Sequence, residues 1–309
     1  MGDAIHRGID EGLWERCDLV ITTKLFFGGR GQRDTINSAQ TTNRKKIYEG
    51  LKASLARMRL EYVDLVFCHR CDASTPMEET VRGMNHLIDR GMAFYWGTSE
   101  WTAQQLQEAT LIAKHLGLVG PACDQLQYNL FHRERLEHEY RPLYRSMGLG
   151  TTTWGPLAGG LLSGKISKLG KHGRTTEKMI ARLASSEDPA LRARAGAPAK
   201  LLPIAESLGC TLAQLVLAWC ASNKDVSTVI CGASSVEQME ENLATAEVIE
   251  HITDDVRARM DEAMGEALNT MFINGKRSYS LSEYDESIKA PPSPTSARPA
   301  AREQAVSRL

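Results

Sequence analysis

The chain has 309 residues, of which 42% are hydrophobic, so it can bury one large core, and α/β barrels of this length are commonly single domains. A formal net charge of −1 and the lack of a dense basic run argue against a nucleic-acid or anionic-membrane partner, and therefore favour a small-molecule substrate. No apolar stretch approaches the ~20 residues that insert across a bilayer, and the polar start MGDAIHRGIDEG resembles neither a signal peptide nor a transit peptide, so we expect a cytoplasmic protein.

The seven cysteines are odd in number and scattered, which is typical of reduced thiols rather than of a secreted disulfide framework. Cys68 and Cys71 form a C-x-x-C pattern that could bind zinc or carry redox chemistry. No second pair stands at zinc-finger spacing, and Cys68 continues an apolar strand pattern. We therefore predict no metal site.

The first predicted strand lies in the stretch DLVITTKLFFGG, residues 18–29. An apolar, β-branched run closed by two glycines predicts a strand that is buried on both faces and ends near Lys24. A lysine at a strand end can simply extend to solvent, so this position alone does not indicate a site. The preceding AIHRGIDEGLWER looks like the end of a helix and a turn.

After Lys24 the predicted strands and helices alternate, which indicates parallel βα units. Further strands are predicted at residues 62–69, 93–99, 122–128, 149–154 and 227–234. Helices are predicted at 44–58 after the cap Asn43, at 77–90 after Pro76, at 102–116 with the cap Thr102, at 133–146, up to Leu208, at 212–222 after the cap Thr211, at 235–246 and near 254–268.

Two segments break this alternation. The composition of residues 155–188, rich in Gly, Ser, Lys and Arg, predicts a long irregular stretch of the kind that forms a functional loop or flap. From about Gly275 the composition shifts to Pro, Ser, Ala and Arg, so we predict a barrel domain over residues 1–274 and a disordered tail over 275–309.

The predicted fold is an α/β barrel with a shortened amino-terminal part. The units from Leu19 onward supply six strands, whereas a closed (β/α)₈ TIM barrel needs eight. We expect an N-terminally truncated barrel of about six βα units that lacks the first two, and unpaired strand edges as a result.

Polar residues follow the predicted strands at their carboxyl ends, where barrels of this kind form active sites. They are Lys24, His69, Thr98-Ser99-Glu100, Gln125, Gln127, Trp154 and Gly232-Ala233-Ser234. A lone histidine is commonly a core residue, but here a lysine ends the neighbouring strand. A lysine ammonium can lower the pKa of an adjacent acid, which carbonyl chemistry at neutral pH requires.

Two glycine- or serine-rich loops follow the last two strands. The stretch 159–165, GGLLSGK, nearly forms a phosphate loop, but Ile166 stands where a magnesium-binding Ser or Thr belongs, which argues against nucleoside-triphosphate hydrolysis. Its amides and Lys165 could still hold a pyrophosphate. Ser234 to Glu237 resembles a capping box, which is either a phosphate-binding helix start or a plain cap. No GxGxxG is present, so a dinucleotide would bind the barrel face.

An ordered series of motifs over about residues 1–270 resembles the aldo-keto reductases, most closely the branch containing the voltage-gated potassium channel beta subunits. The series is VITTKLFFGG, EGLKASLARMRLEYVDLVFCHR, PMEETVRGMNHLIDRGMAFYWGTSEW, QLQYNLF, TWGPLAGGLLSGK, GCTLAQLVLAWC and GASSVEQMEENL. The resemblance implies hydride transfer between NADPH and an aldehyde or ketone.

The resemblance also implies a role for each matching residue. Lys24 corresponds to the lysine that tunes the general acid, and His69 to the histidine that orients the substrate carbonyl. Ser99 and Gln125 correspond to the residues that bind the nicotinamide carboxamide. The loop over the ribose and pyrophosphate corresponds to Trp154, Gly155, Pro156, Leu157, Ala158, Ser163 and Lys165. The clasp of the adenosine and its 2′-phosphate, which favours NADPH over NADH, corresponds to Gly232, Ser234, Gln238, Glu241 and Asn242.

The sequence departs from the family pattern in two ways. His69 and Glu100 replace the Asn and Arg of animal channel subunits, which favours an enzyme over a channel partner. The family's catalytic tyrosine and an aspartate lie in a DTA-x-x-Y-like motif before the lysine, and no tyrosine precedes Lys24 here. The alternative is an NADPH-binding regulatory subunit of a potassium channel. Either protein could form homo-oligomers.

Overall fold

The computed structural model describes residues 1–27, 40–164 and 177–268. Lys165 and the predicted tail 275–309 lie outside these residues. The strands are β1 (Thr22–Leu25), β2 (Val63–Cys68), β3 (Ala93–Ser99), β4 (Cys123–Gln127), β5 (Gly150–Trp154) and β6 (Thr228–Val229). The helices are α1 (Gly2–Asp10), α2 (Arg44–Met58), α3 (Met77–Asp89), α4 (Ala103–His115), α5 (Arg141–Met147), α6 (Glu177–Ala184), α7 (Pro189–Ser207), α8 (Leu212–Ala221), α9 (Val236–Leu243) and α10 (Asp254–Met264).

The six strands form one parallel sheet in the order β1-β2-β3-β4-β5-β6. Each strand pairs with the next along the chain, and the register aligns Ser99 with Gln125 and Gln127 with Trp154. The fold is therefore of the (β/α)₈ barrel type, and the described residues supply six of its strands, as predicted. The parallel arrangement brings the carboxyl ends of all six strands to one edge of the sheet.

Three predicted helix caps are confirmed by side-chain hydrogen bonds. The side chain of Asn43 accepts a hydrogen bond from Lys46 N at 2.9 Å. Thr102 and Thr211 each accept from the backbone three residues ahead at 3.2 Å and complete a capping box with a glutamine. Caps of this kind stabilise a helix by about 1 kcal/mol. The first residue of each of these three helices is therefore determined by residues close to it in sequence.

The core lies between the sheet and the helices that follow its strands. Leu51, Met84, Trp96 and Leu106 from α2, α3, β3 and α4 are fully buried, and eight of the ten residues of α8 are buried. The indole of Trp96 donates to Val119 O at 2.8 Å. In the described part of the chain no single helix is long and apolar enough to cross a membrane, and α7 with α8 reaches that length only as a pair bent by 85°.

The prediction for the first strand was partly wrong. Lys24 does lie near the end of β1, but the strand begins at Thr22, and Val20 is 78% exposed instead of buried. The amide of Ile21 donates to the Asp64 carboxylate at 2.7 Å. Ile21 itself is buried and its carbonyl accepts from the Asp64 amide at 2.8 Å, so only Leu19 and Val20 lie outside the pairing with β2, which is an edge pairing of the described sheet.

Four further boundaries differ from the prediction. The helix predicted at 133–146 contains a π-helical turn over Arg135–Glu139 before α5, and the stretch 155–188 includes the helix α6. The helix after the last strand is capped by Ser235, not Ser234. The strand predicted at 227–234 is only two residues long, because Gly155 takes a left-handed φ of 67° and turns the partner chain away after β5.

Candidate active site

Lys24 and His69 lie together at the carboxyl ends of β1 and β2. The amide of His69 donates to Leu25 O at 3.0 Å, which continues the pairing of the two strands. The Phe27 ring packs edge-on against the His69 imidazole, with 4.8 Å between ring centroids, and Lys24 Nζ lies 5.3 Å from the Phe67 ring centroid. The two predicted catalytic residues therefore share a half-buried, aromatic-lined corner.

Burial and positive charge keep the imidazole of His69 neutral. Burial, followed by the charges of Arg70 and Lys24, lowers the pKa of His69 to about 4. Burial and the charge of Arg70 also lower the pKa of Lys24. No carboxylate in the described part of the chain forms an ion pair with Lys24, so a partly buried cation faces this corner beside a neutral imidazole.

Ser99 ends β3 and lies next to Gln125, which is in the middle of β4. Both are buried, and Ser99 Oγ donates to the backbone oxygen of Gln125 at 2.8 Å. Arg70 joins this pair to the corner at His69: its guanidinium donates to His69 O at 2.6 Å and to Ser99 Oγ at 3.4 Å. Sequence reasoning missed Arg70, although its place directly after the strand-end histidine was a signal.

Glu100 follows Ser99 in a left-handed conformation, with φ of 60°. Its Oε1 accepts from the Trp154 indole at 2.8 Å and from the Gln127 amide at 2.6 Å. Its Oε2 pairs with Arg135 at 2.7 Å. The carboxylate thus joins the ends of β3, β4 and β5 to the π-helical turn, a role that the sequence pattern did not predict.

Asp124 lies beneath this network and is fully buried. It accepts from Thr98 Oγ1 at 2.7 Å and from the amides of Glu100 and Trp101 at 3.2 and 3.4 Å. Burial raises the pKa of Asp124, the Thr98 hydrogen bond lowers it, and the charge of Glu100 raises it, with a net value of about 7. No sequence pattern predicts this role, since Asp124 lies inside a predicted strand.

The loop after β5 is rich in left-handed backbone. Gly155, Ala158, Gly159 and Gly160 have φ of 67°, 49°, 69° and 100°, and Asn129 donates to Gly155 O at 2.8 Å. Pro156 is buried, whereas Leu157, Ala158 and Ser163 are half-buried along a 3-10 helix over Ala158–Ser163. The structure therefore places this predicted loop beside Trp154 at the same edge as Ser99, and Lys165 lies outside the described residues.

The second predicted loop lies beyond β6. Gly232 and Ser234 are exposed, and both the amide and the hydroxyl of Ser234 donate to Gln238 Oε1 at 2.9 Å. Glu241 and Asn242 follow on α9 and are half-buried. Asn242 also lines a cavity of about 420 Å³ between β6, α8 and α9. The structure thus brings Ser234 and Gln238 into contact, and no hydrogen bond among the described residues joins this group to the strand ends near Lys24.

Comparison with known proteins assigns the chain to a family. The Aldo/keto reductase family profile matches residues 3–264, which is most of the chain. The chain belongs to the aldo/keto reductase family. Two plant relatives are named "Probable voltage-gated potassium channel subunit beta". The Arabidopsis thaliana protein is 48% identical over 268 residues, covering 85% of this chain and 78% of the relative. The Oryza sativa subsp. japonica protein is 50% identical over 247 residues, covering 79% and 73%.

The chemistry of the strand-end residues fits a nicotinamide dinucleotide. Lys24 is a partly buried cation, and Ser99 and Gln125 carry buried polar side chains on neighbouring strands. The loop at 155–160 has the left-handed glycine backbone of loops that phosphates bind, whereas the amide and the hydroxyl of Ser234 already donate to Gln238. These residues offer a cation, buried polar side chains and a glycine-rich loop, which are groups of the kind that a dinucleotide requires.

Proposed function

We propose that the protein binds NADPH across the carboxyl ends of its strands and transfers hydride between this cofactor and a small aldehyde or ketone. The observation that carries the proposal is the corner in which the Lys24 cation and the neutral His69 imidazole lie at adjacent strand ends, joined by Arg70 to Ser99. The cofactor would supply the hydride. Trp154 and the residues at 155–158 would cover its ribose and pyrophosphate, and Gln238, Glu241 and Asn242 would contact its adenosine end.

The chain's own residues would orient the carbonyl and provide the proton. Because the pKa of His69 is about 4, its imidazole is neutral near pH 7 and can donate a hydrogen bond to a carbonyl oxygen without carrying charge. Lys24 is the cation of this corner, and its lowered pKa makes it a better proton donor than an exposed lysine. We assign the proton to Lys24 Nζ, because it is the cationic donor that lies in this corner beside the neutral His69 imidazole.

Thermal melts of the 309-residue chain with and without NADPH test the proposed cofactor. Ligand at ~100 times its Kd stabilises a protein by ~2.7 kcal/mol, which raises Tm by a few degrees. We expect this shift with NADPH and a smaller one with NADH, which lacks the 2′-phosphate. A cooperative melt that neither cofactor moves would contradict the proposal.

A second candidate function is that of an NADPH-binding regulatory subunit of a potassium channel in the cytoplasm. The names of the two plant relatives favour it. Co-precipitation of the purified chain with the cytoplasmic domain of a plant voltage-gated potassium channel tests this candidate. Stable binding together with NADPH-dependent carbonyl turnover would show that both functions coexist, and turnover without binding would leave the reductase alone.

A further inference from the structure

The carboxylate of Glu100 is the point at which four elements of the candidate active site meet. It receives hydrogen bonds from the indole of Trp154 on β5 and from the Gln127 amide on β4, and it pairs with Arg135 of the π-helical turn. Glu100 itself follows β3. Its side chain is 20% exposed and that of Arg135 is 25% exposed, so solvent screens the pair only partly.

The backbone of Glu100 is held in a conformation that non-glycine residues rarely adopt. With φ of 60°, its amide donates both to Gln125 O at 3.1 Å and to Asp124 Oδ2 at 3.2 Å. A left-handed residue of this type persists only where its surroundings fix it, and such residues cluster at functional sites. Here the two acceptors on β4 fix the backbone, and the bonds to Trp154, Gln127 and Arg135 fix the direction of the carboxylate.

Arg135, the cation of this network, also contacts a second carboxylate. Arg135 also contacts the Glu139 carboxylate at 3.4 Å, and Glu139 Oε1 accepts from the Ala103 amide at the start of α4 at 2.7 Å. Arg135 is therefore held in place by two carboxylates, of which only Glu100 also contacts Trp154. Glu100 and Glu139 are therefore two carboxylates on the same arginine, and substitutions of the two can be compared directly.

We propose that Glu100 is a positioning residue that fixes the indole of Trp154, and thereby the start of the loop at 155–158, for the cofactor. This inference rests on the proposed function, in which Trp154 contacts bound NADPH. Glu100 acts through Trp154 and need not touch the substrate. An amide in its place keeps the shape but removes the charge that holds the indole N–H and Arg135 together.

A double-mutant cycle on NADPH affinity tests the proposal. Glu100→Gln is expected to raise the Kd for NADPH about tenfold in the wild-type background and less than about twofold in the Trp154→Phe background. Glu139→Gln, which changes the other carboxylate on Arg135, serves as the matched control and is expected to leave the Kd unchanged. An equal effect of Glu100→Gln in both backgrounds would overturn the proposal.

Tryptophan fluorescence provides a second readout that needs no cofactor. The emission of Trp154 is obtained by subtracting the spectrum of the matching Trp154→Phe protein. We expect Glu100→Gln, but not Glu139→Gln, to make this emission more accessible to acrylamide quenching. Unchanged quenching would overturn the proposal. If the wild-type chain fails to bind NADPH, the proposed function fails, whereas the quenching result still decides whether Glu100 holds the indole.

Discussion

Lys24→Met is expected to lower the kcat/KM for carbonyl reduction by at least about 10²-fold, because it removes the proton donor that we assign. Methionine retains most of the length of the side chain and suits the half-buried position beside the Phe67 ring. The charge of Lys24 also contributes to the low pKa of His69, so this pKa should rise towards its usual value in the variant. Steady-state NADPH oxidation with a panel of small aldehydes and ketones measures the rate, and NMR titration measures the imidazole pKa.

The control for this change is Lys52→Met, since Lys52 is exposed on α2 and distant in sequence from the strand ends. We expect this variant to turn over like the wild-type chain. A Lys24→Met variant with wild-type turnover would exclude Lys24 as the donor. A wild-type chain that binds NADPH but reduces none of the carbonyl compounds would contradict the proposed reductase and favour the regulatory subunit.

Asp124→Asn is expected to change how the free energy of unfolding depends on pH. The pKa of Asp124 is raised to about 7 in the folded chain, mainly by burial, whereas an unfolded chain has an Asp pKa of about 3.9. The folded state therefore binds a proton more tightly, so the stabilisation is complete below about pH 4 and is lost as the pH rises through about 7. Over that window the wild-type chain should lose on the order of 4 kcal/mol relative to the Asn variant.

Urea unfolding of both proteins at several pH values measures this difference. Groups that do not interact with Asp124 cancel between the two chains, so the difference between the two curves reports Asp124 together with its coupling to Glu100. A constant offset would reflect only the exchange of an oxygen for an amide nitrogen next to Thr98 and the backbone donors. Parallel curves from acid to neutral pH would contradict the raised pKa.

Local chemistry explains which elements could be predicted from the sequence. Asn43, Thr102 and Thr211 each satisfy a backbone donor within three residues, so the helix starts that they cap depend on nothing distant. The strand ends near Lys24, His69 and Ser99 were predictable for a related reason, since parallel βα units place all carboxyl ends at one edge.

The boundaries that were wrong depend on contacts between distant residues. The apolar run at 19–21 has the pattern of a buried strand, but the Ile21 amide donates to the Asp64 carboxylate, and only Ile21 of this run is buried and bonded to β2. The length of β6 depends on where β5 turns away at Gly155. Neither Asp64 nor Gly155 is a sequence neighbour of the segment that it limits, so periodicity could not reveal either effect.

The charged network of the site was missed for the same reason. Arg135 lies 35 residues after Glu100 and within a helix that reads as polar and solvated. Only the fold shows that its guanidinium meets the Glu100 carboxylate, and that Asp124 lies buried beneath both. Sequence reasoning identified the side chains at the strand ends, but not the residues that hold those side chains in place.

The central claim is that the carboxyl ends of the strands bind NADPH, and hydrogen–deuterium exchange with and without the cofactor tests it most directly. We expect NADPH to slow exchange in peptides that contain Ser99 to Trp101, Gln125 to Asn129 and Trp154 to Ser163. Peptides from the exposed start of β3, at Phe94 and Tyr95, should exchange equally in both states. Protection confined to other parts of the chain, or no protection at saturating NADPH, would contradict the claim.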